Sequence, residues 1–154
     1  MKIIYKTEKN KILEKLGYYG IKDLPFLLIR FGKEKIRGYS GALSVEEINE
    51  LDADIGIDLM GLYLFHDYGN EIRLSLDAVH VFQDQITKNI LELDDKQAEA
   101  WFKGDDIPIP DEWKQENRGF KVLKNNNDLI GCGKLTNDRL VNYMPKERRI
   151  KNKQ

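Results

Sequence analysis

The sequence has little cysteine and little histidine: one cysteine, Cys132, and two histidines, His66 and His80, in 154 residues. A single cysteine cannot form a disulfide within the chain, which is typical of a reducing compartment. Two isolated histidines are too few for a zinc site, because zinc takes three or four protein ligands. We therefore expect a structural, partly buried thiol at Cys132, no metal and no disulfide.

Long apolar runs and cofactor loops are also missing. No run reaches the about 18 apolar residues that a membrane helix needs, and residues 1–11 are charged where a signal peptide would be apolar. Gly131-Cys132-Gly133-Lys134 lacks the further glycine and the hydroxyl residue of a phosphate loop. We expect a cytoplasmic protein without membrane contact, without a cofactor and without catalysis of its own.

What is present suits a globular protein. Hydrophobic residues make up 41% and charged residues 33% of the chain, which is enough apolar material for a core. A chain of this length forms one ordinary domain or two small ones.

The formal net charge of -1 conceals three blocks. Residues 1–40 carry ten Lys or Arg and four acids, or +6, and residues 41–117 carry five and nineteen, or -14. Residues 118–154 carry ten and three, or +7. Because a phosphate backbone responds to local potential rather than to overall charge, a nucleic-acid partner is compatible with this composition.

Apolar patterning predicts mixed helix and strand before residue 83. It indicates a helix over residues 3–16 that ends at Gly17, and a buried strand over residues 26–29 bounded by Gly32. Ser44 and Glu47 have the spacing of a capping box, so a short helix is expected over residues 45–51. The remaining predictions here are strands at residues 55–65 and 71–76 and a helical turn at residues 77–82.

The second half of the sequence predicts short strands, one helix and a hairpin. A short strand over residues 90–93 precedes a helix that Asp94 caps and that ends at Lys103-Gly104. Residues 105–117 are expected to be loop. A hairpin is predicted from residues 120–124 and 128–135 around the three asparagines at 125–127. Two short strands, at residues 140–143 and 148–150, are expected on either side of Pro145.

The C-terminal motifs carry a family resemblance. Nine residues agree in order with the pattern of a known domain: Gly119, Gly131, Gly133, Lys134, Leu140, Asn142, Pro145, Lys146 and Arg149. The pattern is similar to that of the PUA-like RNA-binding domain at the C-terminus of RsmF-type ribosomal RNA cytosine-5 methyltransferases. The sequence departs from that pattern at Phe120, Cys132, Val141, Met144 and Arg148. Residues 94–106 also resemble an early element of PUA domains.

A weaker resemblance reaches the first half. Residues 62–79 are similar to the join between the α/β and PUA domains of two-domain ribosome-assembly factors. Together the resemblances imply an α+β chain with a small α/β domain at residues 1–82 and a PUA-like pseudo-barrel at residues 83–154. They imply binding of structured ribosomal or transfer RNA, beside an RNA methyltransferase or a ribosome-assembly protein. The catalytic domain of the methyltransferases has no counterpart in this sequence.

The residues themselves favour the same chemistry. Basic residues near the end can neutralise phosphates: Lys134, Arg139, Lys146, Arg148, Arg149, Lys151 and Lys153. Tyr143 offers a stacking face and Asn142 a polar contact, although a core aromatic and a turn residue explain these two equally well. We expect the hairpin glycines to let RNA or another strand approach closely.

Two other functions stay open. The acidic middle segment could dock a basic protein partner, in which case no RNA is retained at low salt. A small enzyme could use Asp/Glu pairs of the same segment, in which case a concave pocket must lie beside them.

Overall fold

The computed structural model describes residues 1–151 and has the predicted α+β fold, with two five-stranded sheets. The first is an antiparallel meander in which each strand pairs with the next one along the chain. Its strands are β1 (Lys2–Ile3), β2 (Leu27–Phe31), β3 (Lys35–Tyr39), β4 (Leu62–Asp67) and β5 (Ile72–Leu74). Three helices accompany it: α1 (Lys6–Leu16), α2 (Val45–Ile55) and α3 (Leu76–Val81).

Two boundaries near the N-terminus differ from prediction. The predicted helix over residues 3–16 begins only at Lys6, because Lys2 and Ile3 pair with β2 instead. β3 was not predicted, since its inward positions are Ile36 and Gly38 and the glycine weakens the apolar alternation.

The α2 region confirms one prediction and corrects another. Ser44 Oγ accepts from the Glu47 amide at 3.1 Å and Glu47 Oε1 accepts from the Ser44 amide at 3.2 Å, so the capping box is present. The helix runs on to Ile55, however, and the predicted strand over residues 55–65 begins only at Leu62. Gly56 and Gly61 have φ values of 71° and 83°, which a continuous strand excludes.

The second sheet has the order β6-β8-β9-β10-β7, in which only β6 and β8 are parallel. Its strands are β6 (Ile90–Glu92), β7 (Ile107–Pro108), β8 (Gly119–Asn125), β9 (Asp128–Leu135) and β10 (Arg139–Val141). The predicted hairpin is β8 and β9. The predicted helix is α4 (Asp95–Lys103), which Asp94 caps as expected and which ends at Gly104 with φ 91°.

Two predictions for the second half are wrong. Residues 105–117 are not all loop, because β7 pairs with β10 and Asp111–Trp113 forms a 3-10 turn. The strand expected at residues 148–150 is absent, and Lys146–Arg148 is a 3-10 turn that follows Pro145.

The core joins the two sheets. One hydrophobic cluster contains Leu16 and Phe65 from the first half together with Phe120, Val122 and Cys132 from β8 and β9. The predicted domain boundary between residues 82 and 83 lies between the sheets, and the division into two domains stays a prediction. Within residues 1–151 no helix combines the length and apolarity required to cross a bilayer.

Cys132 lies inside this shared cluster. It is 5% exposed, and its Sγ lies 3.9 Å from the Tyr19 hydroxyl oxygen. Burial raises the pKa of the thiol to about 11. The expected structural thiol is therefore confirmed, and it is more deeply buried than predicted.

Candidate nucleic-acid interface

The predicted basic residues lie on β9, on β10 and in the segment that follows. We call Lys134, Arg139, Lys146, Arg148 and Arg149 the C-terminal cations. Three of them contact carboxylates of the acidic middle segment. Lys134 Nζ lies 3.1 Å from Glu71 Oε1, Arg139 Nη1 lies 3.4 Å from Asp106 Oδ2, and Arg148 Nη1 lies 3.4 Å from Asp77 Oδ1.

These three ion pairs are open to solvent. The cationic side chains are 37%, 61% and 44% exposed. Exposed ion pairs contribute about 0 to 1 kcal/mol each, so a phosphate group can compete for the same cations. The hydrogen bond to Glu71 raises the pKa of Lys134, which therefore stays charged at neutral pH.

The other C-terminal cations differ in their exposure and in their hydrogen-bond partners. Lys146 is exposed and has no carboxylate partner among residues 1–151. Arg149 Nε donates to the Met144 carbonyl at 2.9 Å, and its side chain crosses the position that a Cβ on Gly104 would take. Lys151 is exposed, and Lys153 lies outside the described residues.

Asn142 ties the C-terminal segment to α4. Its Nδ2 donates to the carbonyls of Trp101 at 2.8 Å and Asp105 at 3.0 Å, while its Oδ1 accepts from the Met144 amide at 2.7 Å. Both side-chain hydrogens and one acceptor site are thus used within the chain. The Ile150 amide adds a further bond, to the Phe102 carbonyl at 2.7 Å.

Tyr143 belongs to a group of rings that crosses from one sheet to the other. We call His66, Tyr68, Phe120 and Tyr143 the aromatic row. Neighbouring ring centroids lie 4.4, 5.6 and 6.0 Å apart along it. The Arg73 guanidinium lies 4.4 Å from the Tyr143 centroid, and Lys134 Nζ lies 5.1 Å from that of Phe120. Tyr68 is 40% exposed, so the row offers a ring to solvent beside two cations.

Arg73 and Tyr68 were missed as candidate site residues. They come from β5 and the turn before it, far in sequence from the basic C-terminus. Arg73 stands between the buried Ile72 and Leu74, an alternation that places it on the opposite face of the strand. That alternation was the available signal, and it does not identify the partner ring.

The hairpin glycines make room for a side chain of the protein itself. A Cβ on Gly131 would lie 2.9 Å from Trp101 Nε1, and one on Gly133 would lie 2.8 Å from Trp101 Cη2. The close approach expected of RNA or another strand is therefore made by the Trp101 indole of α4.

Comparison with known proteins finds a similarity in the second half of the chain. Residues 88–150 match the family model described as the methyltransferase RsmF PUA domain. This match confirms the predicted resemblance and the PUA-like character of the second sheet. It covers the PUA domain only and includes no catalytic methyltransferase domain.

Individual relatives extend the similarity. The chain is 26% identical over 102 residues to ribosomal RNA small subunit methyltransferase F of Vibrio cholerae serotype O1, strain M66-2. This match covers 66% of this chain and 21% of that protein. It is 28% identical over 109 residues to the protein of the same name from Psychromonas ingrahamii, covering 66% and 22%. The chain spans about a fifth of the length of the curated relatives it matches. Both matches are longer than residues 88–150 and so include residues before 88.

Proposed function

We propose that this chain, whose residues 88–150 match the model of the RsmF PUA domain, is a cytoplasmic RNA-binding protein without catalysis of its own. The relatives are named as methyltransferases of small-subunit ribosomal RNA. The RNA bound here is accordingly structured ribosomal or transfer RNA. The partner is an RNA methyltransferase or a ribosome-assembly protein.

The exposed C-terminal cations support this proposal, together with the contact between the two sheets, where Arg73 and Lys134 lie beside the aromatic row. We call this contact, formed by the aromatic row, Arg73, Lys134 and the shared core cluster around Cys132, the joint. Arg139, Lys146 and Arg148 contact phosphate oxygens, which arginine can do bidentately. Lys134 lies beside Phe120 and adds a fourth charge. Because every base has a π-face, a ring such as Tyr68 stacks an unpaired base without sequence preference, worth about 1 to 3 kcal/mol.

Asn142, Tyr143 and Arg149 have positioning roles in this proposal. Asn142 holds the C-terminal segment against α4, and Arg149 packs beside Gly104 and bonds back to the Met144 carbonyl, so that the cations before and after them face the RNA. Tyr143 supports the guanidinium of Arg73. The stacking face is thus assigned to Tyr68, and Tyr143 contacts RNA through the arginine that it carries.

The state of Cys132 supports a role without covalent catalysis. A nucleophilic cysteine acts as the thiolate, and it usually lies in an electropositive, partly exposed place. Cys132 is buried, and its pKa of about 11 keeps it protonated at neutral pH. It is therefore a core residue of the joint.

Cross-linking followed by sequencing of the bound cellular RNA tests the proposal. The interface variant is Arg139→Ala/Lys146→Ala/Arg148→Ala. The control variant, Lys22→Ala/Lys33→Ala/Lys96→Ala, removes the same charge from exposed positions outside the joint. We expect ribosomal or transfer RNA to be recovered with the parent and the control but lost with the interface variant. Equal recovery with all three proteins contradicts the assignment.

A second function, docking of a basic protein, is favoured by the surface around α2. Ile55 and Leu59 are 74% and 68% exposed, although both are large and apolar. Glu50, Asp54 and Asp58 lie close to them in sequence. Exposed apolar side chains in an acidic segment suit a partner with exposed apolar and basic residues. Ile55→Ser/Leu59→Ser should abolish such an association while leaving RNA binding unchanged.

A further inference from the structure

A cleft of about 300 Å³ opens on one side of the joint, between the first sheet and the C-terminal segment. The first sheet contributes Arg37, Tyr63 and Arg73 to its lining. Trp101 of α4, Tyr143 and Arg148 line it from the second half of the chain. Its size is at the lower end of the range for small-molecule sites, about 300 to 1,000 Å³.

Two lining arginines are not neutralised. Arg37 Nε donates to the Gly61 carbonyl at 3.0 Å and Arg73 Nε to the Tyr68 hydroxyl at 3.4 Å, and within residues 1–151 neither forms an ion pair with a carboxylate. A β-bulge between Ile36 and Arg37 shifts the register and sets Arg37 opposite Tyr63. Bulges of this kind re-aim side chains beside functional sites.

Trp101 supplies an unused donor. It is 1% exposed, and its Nε1 is the one buried side-chain nitrogen or oxygen in residues 1–151 without a hydrogen-bond partner. Buried polar groups are nearly always paired, so an orphaned indole N–H in the wall of a cleft indicates a missing acceptor. Gly131, which also lines the cleft, places no side chain over this nitrogen, since a Cβ there would lie 2.9 Å from it.

The carboxylates of the cleft lie toward the C-terminal side. Asp77 is engaged by Arg148 at 3.4 Å, and Glu147 is exposed on the 3-10 turn. Counting Arg37, Arg73 and Arg148 against these two acids, the lining carries a formal charge of +1. The free positive charge is therefore on the first-sheet side, where an anionic group would bind.

We propose that this cleft binds one nucleoside monophosphate unit, supplied by an unpaired nucleotide of RNA or by a free nucleotide. Arg37 and Arg73 hold the phosphate, since guanidinium groups match its oxygens bidentately. The base stacks on Tyr63 or on the Arg73 guanidinium, and a carbonyl oxygen or ring nitrogen of the base accepts from Trp101 Nε1–H. The RNA form of this inference rests on the proposed function, and the free-nucleotide form does not.

The indole N–H resonance of Trp101 reports the contact directly. AMP, GMP, CMP and UMP are titrated separately against the ¹⁵N-labelled protein, with ribose 5-phosphate and inorganic phosphate as probes without a base. We expect at least one nucleotide to shift the Trp101 resonance, while Trp113, the other tryptophan, and the base-free probes serve as controls. The absence of a shift with every nucleotide and with saturating bound RNA overturns the inference.

Variants identify the phosphate contacts. Arg37→Gln and Arg73→Gln should each weaken nucleotide binding about tenfold, the effect of one charge-assisted hydrogen bond. Arg118→Gln is the matched control, since Arg118 is exposed and lies outside the cleft. Equal affinity in all three variants contradicts the phosphate assignment, whereas thermal unfolding shows that each is folded.

The same spectra separate this inference from the proposed function. RNA that binds without moving the Trp101 resonance leaves the proposed function standing and refutes the cleft. A nucleotide that moves it while no cellular RNA is retained leaves the cleft standing as a free-nucleotide site and refutes RNA binding.

Discussion

The C-terminal cations and the cleft arginines Arg37 and Arg73 differ in how the fold compensates them. Lys134, Arg139 and Arg148 come from the most basic block of the chain, yet each contacts a carboxylate of the acidic middle segment. Arg37 comes from β3 and Arg73 from β5, both outside that block, and neither has a carboxylate partner within residues 1–151. Among the C-terminal cations only Lys146 and Arg149 lack a carboxylate partner within residues 1–151, so charge density along the sequence does not by itself locate uncompensated charge.

These ion pairs bring oppositely charged blocks of the sequence together in the folded chain. Two of the three ion pairs, Lys134–Glu71 and Arg148–Asp77, join the C-terminal half to the β5–α3 region. The acidic middle and the basic end thus meet across the joint when the chain folds. RNA must compete with carboxylates at Lys134, Arg139 and Arg148 but not at the cleft arginines.

The largest change that we expect is a loss of unfolding free energy at alkaline pH, caused by ionisation of the buried Cys132. Burial raises the pKa of Cys132 from its ordinary value of 9.0 to about 11. The neutral thiol therefore stabilises the fold fully below pH 9.0 and progressively less as the pH rises to about 11. We expect the Cys132-dependent loss of unfolding free energy to be about 3 kcal/mol, measured by urea unfolding at pH 7 to 11.

Cys132→Ala provides the reference for this titration. It leaves a small cavity but cannot ionise. Burial, the main cause that raises the pKa of the neighbouring Tyr19, persists in this variant, so the difference between the two curves comes mainly from the thiol. Parallel curves for the two proteins would show that the thiol does not titrate in this range.

The next effect concerns the anchor of the C-terminal cations. Asn142→Ala removes three hydrogen bonds and leaves the Trp101 and Asp105 carbonyls and the Met144 amide without their partner. We expect a loss of about 2 kcal/mol and a melting temperature lower by about 6 °C. Asn127→Ala, in the exposed hairpin turn, is the matched control and should change little.

Removing the carboxylates that pair with Lys134 and Arg148 tests whether these ion pairs limit RNA binding. Glu71→Gln/Asp77→Asn frees Lys134 and Arg148 from their partners, so RNA affinity should rise about tenfold at low salt. Glu50→Gln/Asp84→Asn changes the net charge equally at exposed positions elsewhere. Fluorescence anisotropy with labelled ribosomal RNA measures both. If the two double variants bind alike, overall charge and not local pairing governs the affinity.

The smallest effect is that of the ion pairs on stability. Lys134→Met and Arg148→Ala should each lower the unfolding free energy by at most about 1 kcal/mol, because both pairs are open to solvent. A loss several times larger in urea unfolding would show that these pairs hold the two sheets together and are unavailable to phosphate.

Local signals in the sequence were enough for much of the fold. The capping residues Ser44 and Asp94 and the asparagine turn of the β8–β9 hairpin each act within a few residues, so the starts of α2 and α4 and the hairpin were predicted correctly. β3 and the loop before β4 were not predicted, since a strand with an inward glycine exists only through its neighbours.

In the candidate site, too, the C-terminal cations could be predicted from local sequence but their contacts could not. The basic residues could be named from the sequence, but their carboxylate partners lie 33 to 71 positions away and become neighbours only through the sheet topology. The Arg73–Tyr143 contact and the orphaned Trp101 N–H likewise depend on the packing of both sheets. No local pattern contains this information.

The salt dependence of RNA affinity shows whether the C-terminal cations contact phosphates. Each phosphate contact to single-stranded RNA contributes about 0.7 to the slope of log affinity against log salt. The parent and the control variant should therefore share a steep slope, and the interface variant should have a slope shallower by about 2. Identical slopes for all three proteins, or no RNA retained at low salt, would contradict RNA binding by the C-terminal cations.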